Sequence, residues 1–449
     1  MPKIGLISLG CAKNLVDSEH MLALLRDAGW EVTDDMAEAD VGVVNTCGFI
    51  EAAKTEAIET ILETARYKQA GRMKGLVVTG CLVQRYAEEI KSDLPEIDVL
   101  CGTGSYESIT DAANAALGGR KAAYMADMAA AALDGGRDRL TPSYTAYFKI
   151  AEGCSNTCAY CIIPKLRGPY RSREMDALLD EAKGLADAGV KELIVIAQDI
   201  TKYGLDLPEH KRLLPALLRE LAKLPFTWIR LHYLYPDQIT DELIDVIAEE
   251  DKIVNYLDIP LQHVSKRILR AMRRPGDGET FSALLEKLRA RIPGLVLRTS
   301  LIVGLPGETE DEFAELCEFL QRERLERVGV FEFSPEEGTA AAGLPGQIDA
   351  ETKQTRRLIV EELQSGVLDE FNLGRHGTVQ TVLAEGFDED ETLYFGRTYA
   401  DSVEVDGKVY FASGAAVAPG DFVPVLITDS LGADLLGVRK EDENHDLSE

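Results

Sequence analysis

Between residues 144 and about 372, a short apolar run and a stretch of helical period alternate six times. That series limits the possible folds of this chain more than any other feature. The apolar runs fall at 146–152, 192–199, 228–235, 256–262, 296–303 and 327–333, with helical patterns after each, as at 177–188 and 311–321. Strands separated by helices pair in parallel, because the crossover helix returns the chain to the starting edge of the sheet. Eight such units would close a barrel; six predict a partial (β/α)6 barrel with a wide mouth. In that architecture chemistry collects at the carboxyl ends of the strands.

The first of those ends carries C-S-N-T-C-A-Y-C. Cys154, Cys158 and Cys161, with Tyr160 just before the last, set three soft ligands on one loop, enough to grip a metal centre while leaving one coordination position open. A closed structural zinc site takes four protein ligands, and an electron-transfer cluster normally takes four thiolates. A zinc knuckle or a chance cluster of buried thiols is the plainer alternative. Gln198 and Asp199 end the second strand, His232 to Tyr235 the third, and Gln262 and His263 the fourth. The fifth runs on as R-T-S-L-I-V-G-L-P-G-E from Arg298 to Glu308, where Gly304 would let the backbone approach a flat ligand, or simply make a strand-to-helix turn. Lys165, Arg167, Arg171 and Arg173 follow the cysteine loop and suit salt bridges as well as anionic ligands. His232 and His263 are expected to be structural.

Residues 3 to 117 read as a doubly wound α/β domain, with strands at 3–9, 41–46, 75–79 and 97–100 and helices at 14–28, 52–67, 84–91 and 106–116. Three of its strands deliver a cysteine just past their ends, in Ser8-Leu9-Gly10-Cys11, Asn45-Thr46-Cys47-Gly48 and Thr79-Gly80-Cys81-Leu82. That edge of an open α/β sheet is where ligands bind, so Cys11, Cys47 and Cys81 predict an iron-sulfur cluster of their own, with an open iron. Cys101 and Cys317 are expected in cores. Residues 118–143 read as a linker. From 375 to 440 short runs with Gly turns, at 378–385, 394–398, 403–405, 408–411, 421–428 and 434–439, predict a small all-β barrel.

The formal charge is −29, and residues 375–449 carry five Lys and Arg against sixteen Asp and Glu. Such a surface repels phosphates and attracts basic proteins, which makes nucleic acid an unsuitable direct substrate. Eight Cys in 449 residues, grouped at strand ends, indicate metal ligation in a reducing compartment. Residues 1–7 do not form a secretory signal, and no apolar run reaches the ~20 residues of a membrane span. The expectation is a soluble, cytoplasmic protein without a membrane partner.

The three-Cys loop with its aromatic, three further cysteines on an α/β domain and a C-terminal β-barrel together resemble the methylthiotransferases of the radical S-adenosylmethionine (SAM) superfamily, over essentially the whole chain. In that family the C-terminal barrel is called TRAM. The segments Ser8 to Glu19 and Gly153 to Pro164 are similar to the branch that modifies ribosomal protein S-twelve, a basic protein; the tRNA-modifying branch typically carries other residues after its first Cys. The implied fold is an N-terminal doubly wound α/β domain, a central partial radical SAM barrel and a TRAM barrel.

The resemblance implies that Cys154, Cys158 and Cys161 hold a 4Fe-4S cluster whose electron cleaves one SAM to a 5′-deoxyadenosyl radical. It implies that Cys11, Cys47 and Cys81 hold an auxiliary 4Fe-4S cluster carrying a sulfur methylated by a second SAM, and that the methylsulfide passes to the β-carbon of a substrate aspartate. Tyr160, Gln198, Asp199, Arg298, Ser300 and Gly304 are then expected near SAM. An unactivated C–H bond resists acid–base chemistry, so the cofactor supplies the radical and the protein supplies position. An electron donor such as a flavodoxin or ferredoxin is implied, and so is a sulfur source. Two further readings stay open. One is transfer to tRNA, which a basic groove at the barrel mouth would favour. The other is a non-catalytic iron-sulfur carrier, which leaves the six-unit barrel unexplained.

Overall fold

The computed structural model describes residues 1–440. The N-terminal domain is a six-stranded parallel sheet in the order Glu31–Val32, Lys3–Ser8, Val41–Thr46, Gly75–Gly80, Val99–Cys101, Ala122–Tyr124. Its central strands read as unbroken apolar runs because both faces are covered. Helices Ala12–Asp27 and Ile109–Leu117 pack Met21, Leu25, Ile109 and Ala113 on Ile4, Val41, Val43 and Val77. Helices Glu51–Gln69 and Cys81–Asp93 pack Ile61, Ala65, Leu82 and Val83 on Val44, Leu76 and Val78 from the other side.

The stretch expected to be a linker is in part structured. Ala122–Tyr124 adds the sixth strand, parallel to Val99–Cys101, so the α/β sheet runs past residue 117. Two alanines and a tyrosine, three residues in all, are too few to carry a readable period, and only the free edge at Val99–Cys101 makes them a strand. Further on, Arg137 bonds Glu19 of the first helix, Glu181 of helix Met175–Asp187 (2.6 Å) and the Tyr147 carbonyl (2.8 Å), which straps the two domains together.

Six parallel strands, Thr145–Lys149, Glu192–Ile196, Trp228–Leu231, Ile253–Asp258, Val296–Val303 and Arg327–Glu332, follow in chain order across one open sheet. Leu193, Val195, Ile229, Leu231, Leu257 and Leu297 point outward into the largest core, against Leu217, Leu243, Leu285 and Leu316 of the crossover helices. Their alternates Ile194, Ile196, Arg230, Tyr256 and Arg298 turn into the hollow of the partial barrel.

The C-terminal barrel is closed, in the order Val379–Asp388, Leu393–Arg397, Val409–Ala412, Asp434–Arg439, Phe422–Leu431. The strand expected at 403–405 does not form; residues 398–408 make a loop that enters the hollow instead. Val403 packs with Val16, Tyr147, Ile194 and Ile196, the Ser402 hydroxyl pairs with His232 at 3.0 Å, and Asp406 accepts from the Tyr256 hydroxyl at 2.6 Å. A valine that alternates with acidic residues mimics a strand in sequence, but the apolar hollow claims it.

The small barrel therefore plugs the amino ends of the six strands. Glu192, first in its strand, accepts from Arg230 (3.0 Å) and Arg397 (2.7 Å), with all three side chains fully buried or nearly so. Trp228 meets Phe422 edge-on at 4.8 Å between ring centroids. The cysteine loop lies at the opposite end. Among the described residues no helix is long and apolar enough to cross a membrane.

Candidate active site

Strand Thr145–Lys149 continues through Ala151–Glu152 into Gly153, whose φ of +75° turns the chain where a side chain would strike the Pro169 carbonyl. The Cys154 amide then donates to the Gly168 carbonyl at 3.1 Å, and Ala159 is pinned from both sides, donating to Met272 O (2.9 Å) and accepting from Ala341 N (2.8 Å). Cys154 and Cys158 are buried and Cys161 is half-buried. Burial raises the Cys154 thiol and pushes Cys161 up to about 12, and each lies within electrostatic reach of the other two. Beside them the Cys158 sulfur stands 3.9 Å from the Tyr235 hydroxyl, and the Arg274 guanidinium lies 4.0 Å over the Tyr235 ring. Tyr160 packs against Ile268, Met272, Leu305 and Phe333.

The other three cysteines also converge. Cys11 caps helix Ala12–Asp27, Cys47 follows Val41–Thr46 and Cys81 opens its own helix. Two glycines allow the approach. At Gly10 (φ +88°) a Cβ would sit 2.7 Å from the Cys47 Cβ and 3.2 Å from its sulfur, and at Gly48 one would sit 2.8 Å from the Leu82 amide nitrogen. Cys11 is exposed, Cys47 partly so and Cys81 buried. Burial drives the Cys81 thiol up to about 12, although the Arg167 guanidinium works against it.

Both triads fit an iron-sulfur cluster. All eight cysteines are free, and each site offers three sulfur donors with no hard ligand among them. Among the described residues no three His, Cys, Asp or Glu side chains surround one point as ligands of a single ion would. Thiolates that each take a different iron need no such convergence. Buried thiols with raised pKa must lose their protons on ligation, so binding a cluster would stabilise the loops that hold it.

The segment after Cys161 ties the two triads together. Ile162 and Leu166 pack on Cys81, and helix Ile163–Arg167 ends in a guanidinium that bonds Asp17 and Asn14 (3.0 Å) of the first domain and Glu152 (3.4 Å) of the second. Lys149 bonds the same Asp17 and Glu152. Burial would raise the Glu152 carboxyl, but Lys149 and Arg167 hold it far below the usual carboxylate range. On the far side Arg85 joins the Gly48 carbonyl to Glu336, both at 2.9 Å.

The remaining expected residues divide. Gln198 donates to Glu152 at 3.1 Å, and Asp199 accepts from Asn156 of the cysteine loop at 3.1 Å, so both surround that loop. Arg298 pairs with Asp258 at 3.3 Å, and Ser300 lies on the same strand, facing the hollow. Gly304 has φ +76°, but the group pressed against it is Lys353 of helix Ala350–Leu373, so packing within the chain demands this glycine. Lys165 bonds the Gly338 carbonyl, Arg171 the Ala131 carbonyl, and Arg173 both Asp134 and Glu181. These cations serve the scaffold. His263 is buried and accepts from Ser265 N at 3.0 Å. Cys101 lies in the α/β core, and Cys317 packs against the edge of the main core. Sequence reasoning missed Arg274, because Arg273-Arg274 after a helix reads as surface.

Comparison with known proteins places these features in one lineage. Residues 3–102 match the uncharacterized protein family UPF0004, 148–320 the radical SAM superfamily and 377–439 the TRAM domain. Among solved structures, the radical S-adenosylmethionine methyltransferase TsrM from Kitasatospora setae is similar in fold, with a TM-score of 0.58 at 16% identity over 86% of this chain and 79% of that one. The cobalamin-dependent S-adenosylmethionine radical enzyme OxsB gives a TM-score of 0.51 at 12% identity over 82% and 56%. In sequence the likeness is far closer. Proteins named ribosomal protein uS12 methylthiotransferase RimO are 49% identical in Pelotomaculum thermopropionicum (97% of this chain, 98% of that one) and 48% identical in Clostridioides difficile (97% and 98%). With relatives this similar along nearly its full length, the chain belongs to the RimO methylthiotransferase family of radical SAM enzymes.

Proposed function

We propose that this protein transfers a methylthio group to the β-carbon of an aspartate in ribosomal protein uS12. The observation that carries the reading is the pair of three-thiol edges on separate domains, fastened to one another by the buried Asp17–Arg167–Glu152–Lys149 cluster. In this reading Cys154, Cys158 and Cys161 hold one 4Fe-4S cluster with SAM, and Cys11, Cys47 and Cys81 hold the second; bound, they supply one-electron cleavage of SAM and a methylated sulfur for transfer. Gln198 and Asp199 keep the cysteine loop in place through Glu152 and Asn156. Arg274 and Tyr235 place a cation and a hydroxyl beside Cys158, and a cation there favours the reduced state of a bound cluster by charge alone. Tyr160 on the cysteine loop, Arg298 and Ser300 within strand Val296–Val303, and Gly304 just past its end are the residues that would lie toward SAM, with Gly304 set there by Lys353.

The acidic small barrel is the surface that suits a basic ribosomal protein, and its exposed Glu389-Asp390-Glu391 tip is an accessible part of it. A flavodoxin or ferredoxin would supply electrons, a separate sulfur source would reload the auxiliary site, and the compartment is the cytoplasm, where ribosomes and reduced thiols coexist.

The test is anaerobic reconstitution, iron counting, and turnover with SAM, reductant and either uS12 or tRNA, read by mass spectrometry. About eight irons per chain and a methylthio adduct on uS12 are expected. An adduct on tRNA instead would move the activity to nucleic acid. About four irons and no adduct on either would overturn the reading.

A further inference from the structure

Buried charges at the domain junctions pair with one another. Asp17, Glu152, Lys149 and Arg167 do so at one end of the barrel, and Glu192, Arg230 and Arg397 at the other. Lys13 differs. It is only 8% exposed, yet among the described residues no carboxylate oxygen lies within ion-pair distance of its ammonium. Its Nζ rests 3.4 Å from the centroid of the Tyr233 ring. A ring face offsets only part of what it costs to bury an ammonium without a counter-charge.

The platform beneath it is itself held under strain. Tyr233 has φ +66°, a left-handed conformation unfavourable for a bulky residue, at the carboxyl end of strand Trp228–Leu231, and its amide donates to Asp258 at 3.3 Å. Asp258 is itself paired with Arg298. Lys13 lies within electrostatic reach of Cys11 on one side and of His232 and Asp258 in the hollow on the other. The ammonium thus stands where the cysteine edge of the first domain meets the mouth of the second.

On the methylthiotransferase reading above, the substrate side chain that enters this junction carries a carboxylate one bond from the carbon to be modified. We propose that the Lys13 ammonium, seated on Tyr233, binds that carboxylate and so selects aspartate and fixes its β-carbon. A compact ammonium with three donors suits an anion arriving from outside the chain. The same site would reject asparagine, which brings no charge to compensate it. Lys13 acts here as a fixed positive charge and takes no proton.

The experiment compares native uS12 with uS12 whose target aspartate is replaced by asparagine, each offered to the full-length, two-cluster enzyme as wild type, Lys13→Met and Lys13→Arg. Wild type should favour aspartate by about 100-fold in kcat/KM, the scale of one charge-assisted hydrogen-bonded pair. Lys13→Met should lose about that factor on native uS12 alone, bringing the aspartate-to-asparagine ratio near one, while Lys13→Arg keeps part of the preference. Iron content and the EPR signals of both clusters should match wild type. A Lys13→Met enzyme that keeps the aspartate preference would overturn the proposal. So would one that loses both substrates equally with an altered auxiliary-cluster signal, because that marks a structural role beside Cys11. Wild type that modifies no uS12 at all would remove the underlying reading, and that failure is visible before any variant is compared.

Discussion

Replacing Glu192 by Gln should loosen the C-terminal barrel from the six-stranded domain. Glu192 is fully buried and binds two guanidinia, Arg230 at 3.0 Å and Arg397 at 2.7 Å. Burial by itself would raise its carboxyl, but Arg397 and Arg230 bring it down to about 2 from an ordinary 4.5. At 1.36 kcal/mol per pH unit, that gap corresponds to about 3 kcal/mol of stability. Removing one partner from a buried ion pair costs a similar ~3–5 kcal/mol. Because the folded pKa is the lower one, the contribution is complete above pH 4.5 and is lost as pH falls from there toward 2. Calorimetry should show the wild-type transition falling across that window, and the Glu192→Gln transition lower at pH 7, by about 10 °C for a domain of this size. Limited proteolysis should release the C-terminal barrel sooner. Arg397→Gln added to Glu192→Gln should cost less than Arg397→Gln alone, because the guanidinium has already lost Glu192 and keeps only Glu385 as a carboxylate partner. SAM cleavage should persist, since the pair lies at the strand end opposite Cys154. A loss under about 1 kcal/mol, or full additivity of the two substitutions, would refute the reasoning.

Other outcomes follow from the cysteine edges. Cys81→Ser should lower reconstituted iron from about eight to about four per chain while 5′-deoxyadenosine formation continues; unchanged iron would remove Cys81 from the ligands. Gly10→Ala places a Cβ 2.7 Å from that of Cys47 at φ +88°, so it should cost ~1–3 kcal/mol of backbone strain and selectively deplete the auxiliary iron. Arg274→Met removes the cation over Tyr235, and a redox titration should find a more negative potential for the radical cluster; an unmoved potential would mean that the guanidinium serves only to pack. Charge reversal at Glu389, Asp390 and Glu391 should weaken uS12 binding and flatten its salt dependence, measured by titration across ionic strength. Deleting the whole barrel is a poorer test, because it would expose Trp228, Tyr256 and the Glu192 pair.

What could be read in the chain follows from periodicity and spacing. Val41–Thr46 and Gly75–Gly80 are unbroken apolar runs between helical patterns, and both are parallel strands. The six central strands came out in chain order for the same reason. Short or context-made pieces did not. Ala122–Tyr124 is a strand only by virtue of its neighbour, and 403–405 has a strand's alternation but meets the hollow of another domain. At the site, the spacing of Cys154, Cys158 and Cys161 marked one group of thiols and the strand-end places of Cys11, Cys47 and Cys81 marked the other, since sulfur donors need little context to be noticed. Gly304 was legible as a glycine that something approaches closely, but that something is the Lys353 side chain.

By itself the sequence determined the order of three domains, the parallel character of two sheets, and the six thiols at strand ends, because each depends on local period or residue chemistry. Only the tertiary structure decided that Arg167, which looks like one of several surface cations, joins Asp17 to Glu152 across 135 residues of sequence. It alone decided that the acidic barrel closes the amino end of the strands, and that Lys13 stands over Tyr233 with no carboxylate oxygen within ion-pair distance among the described residues. Those are contacts between residues far apart in the chain. Their energies come from burial and from pairing of charge, and neither exists until the domains meet.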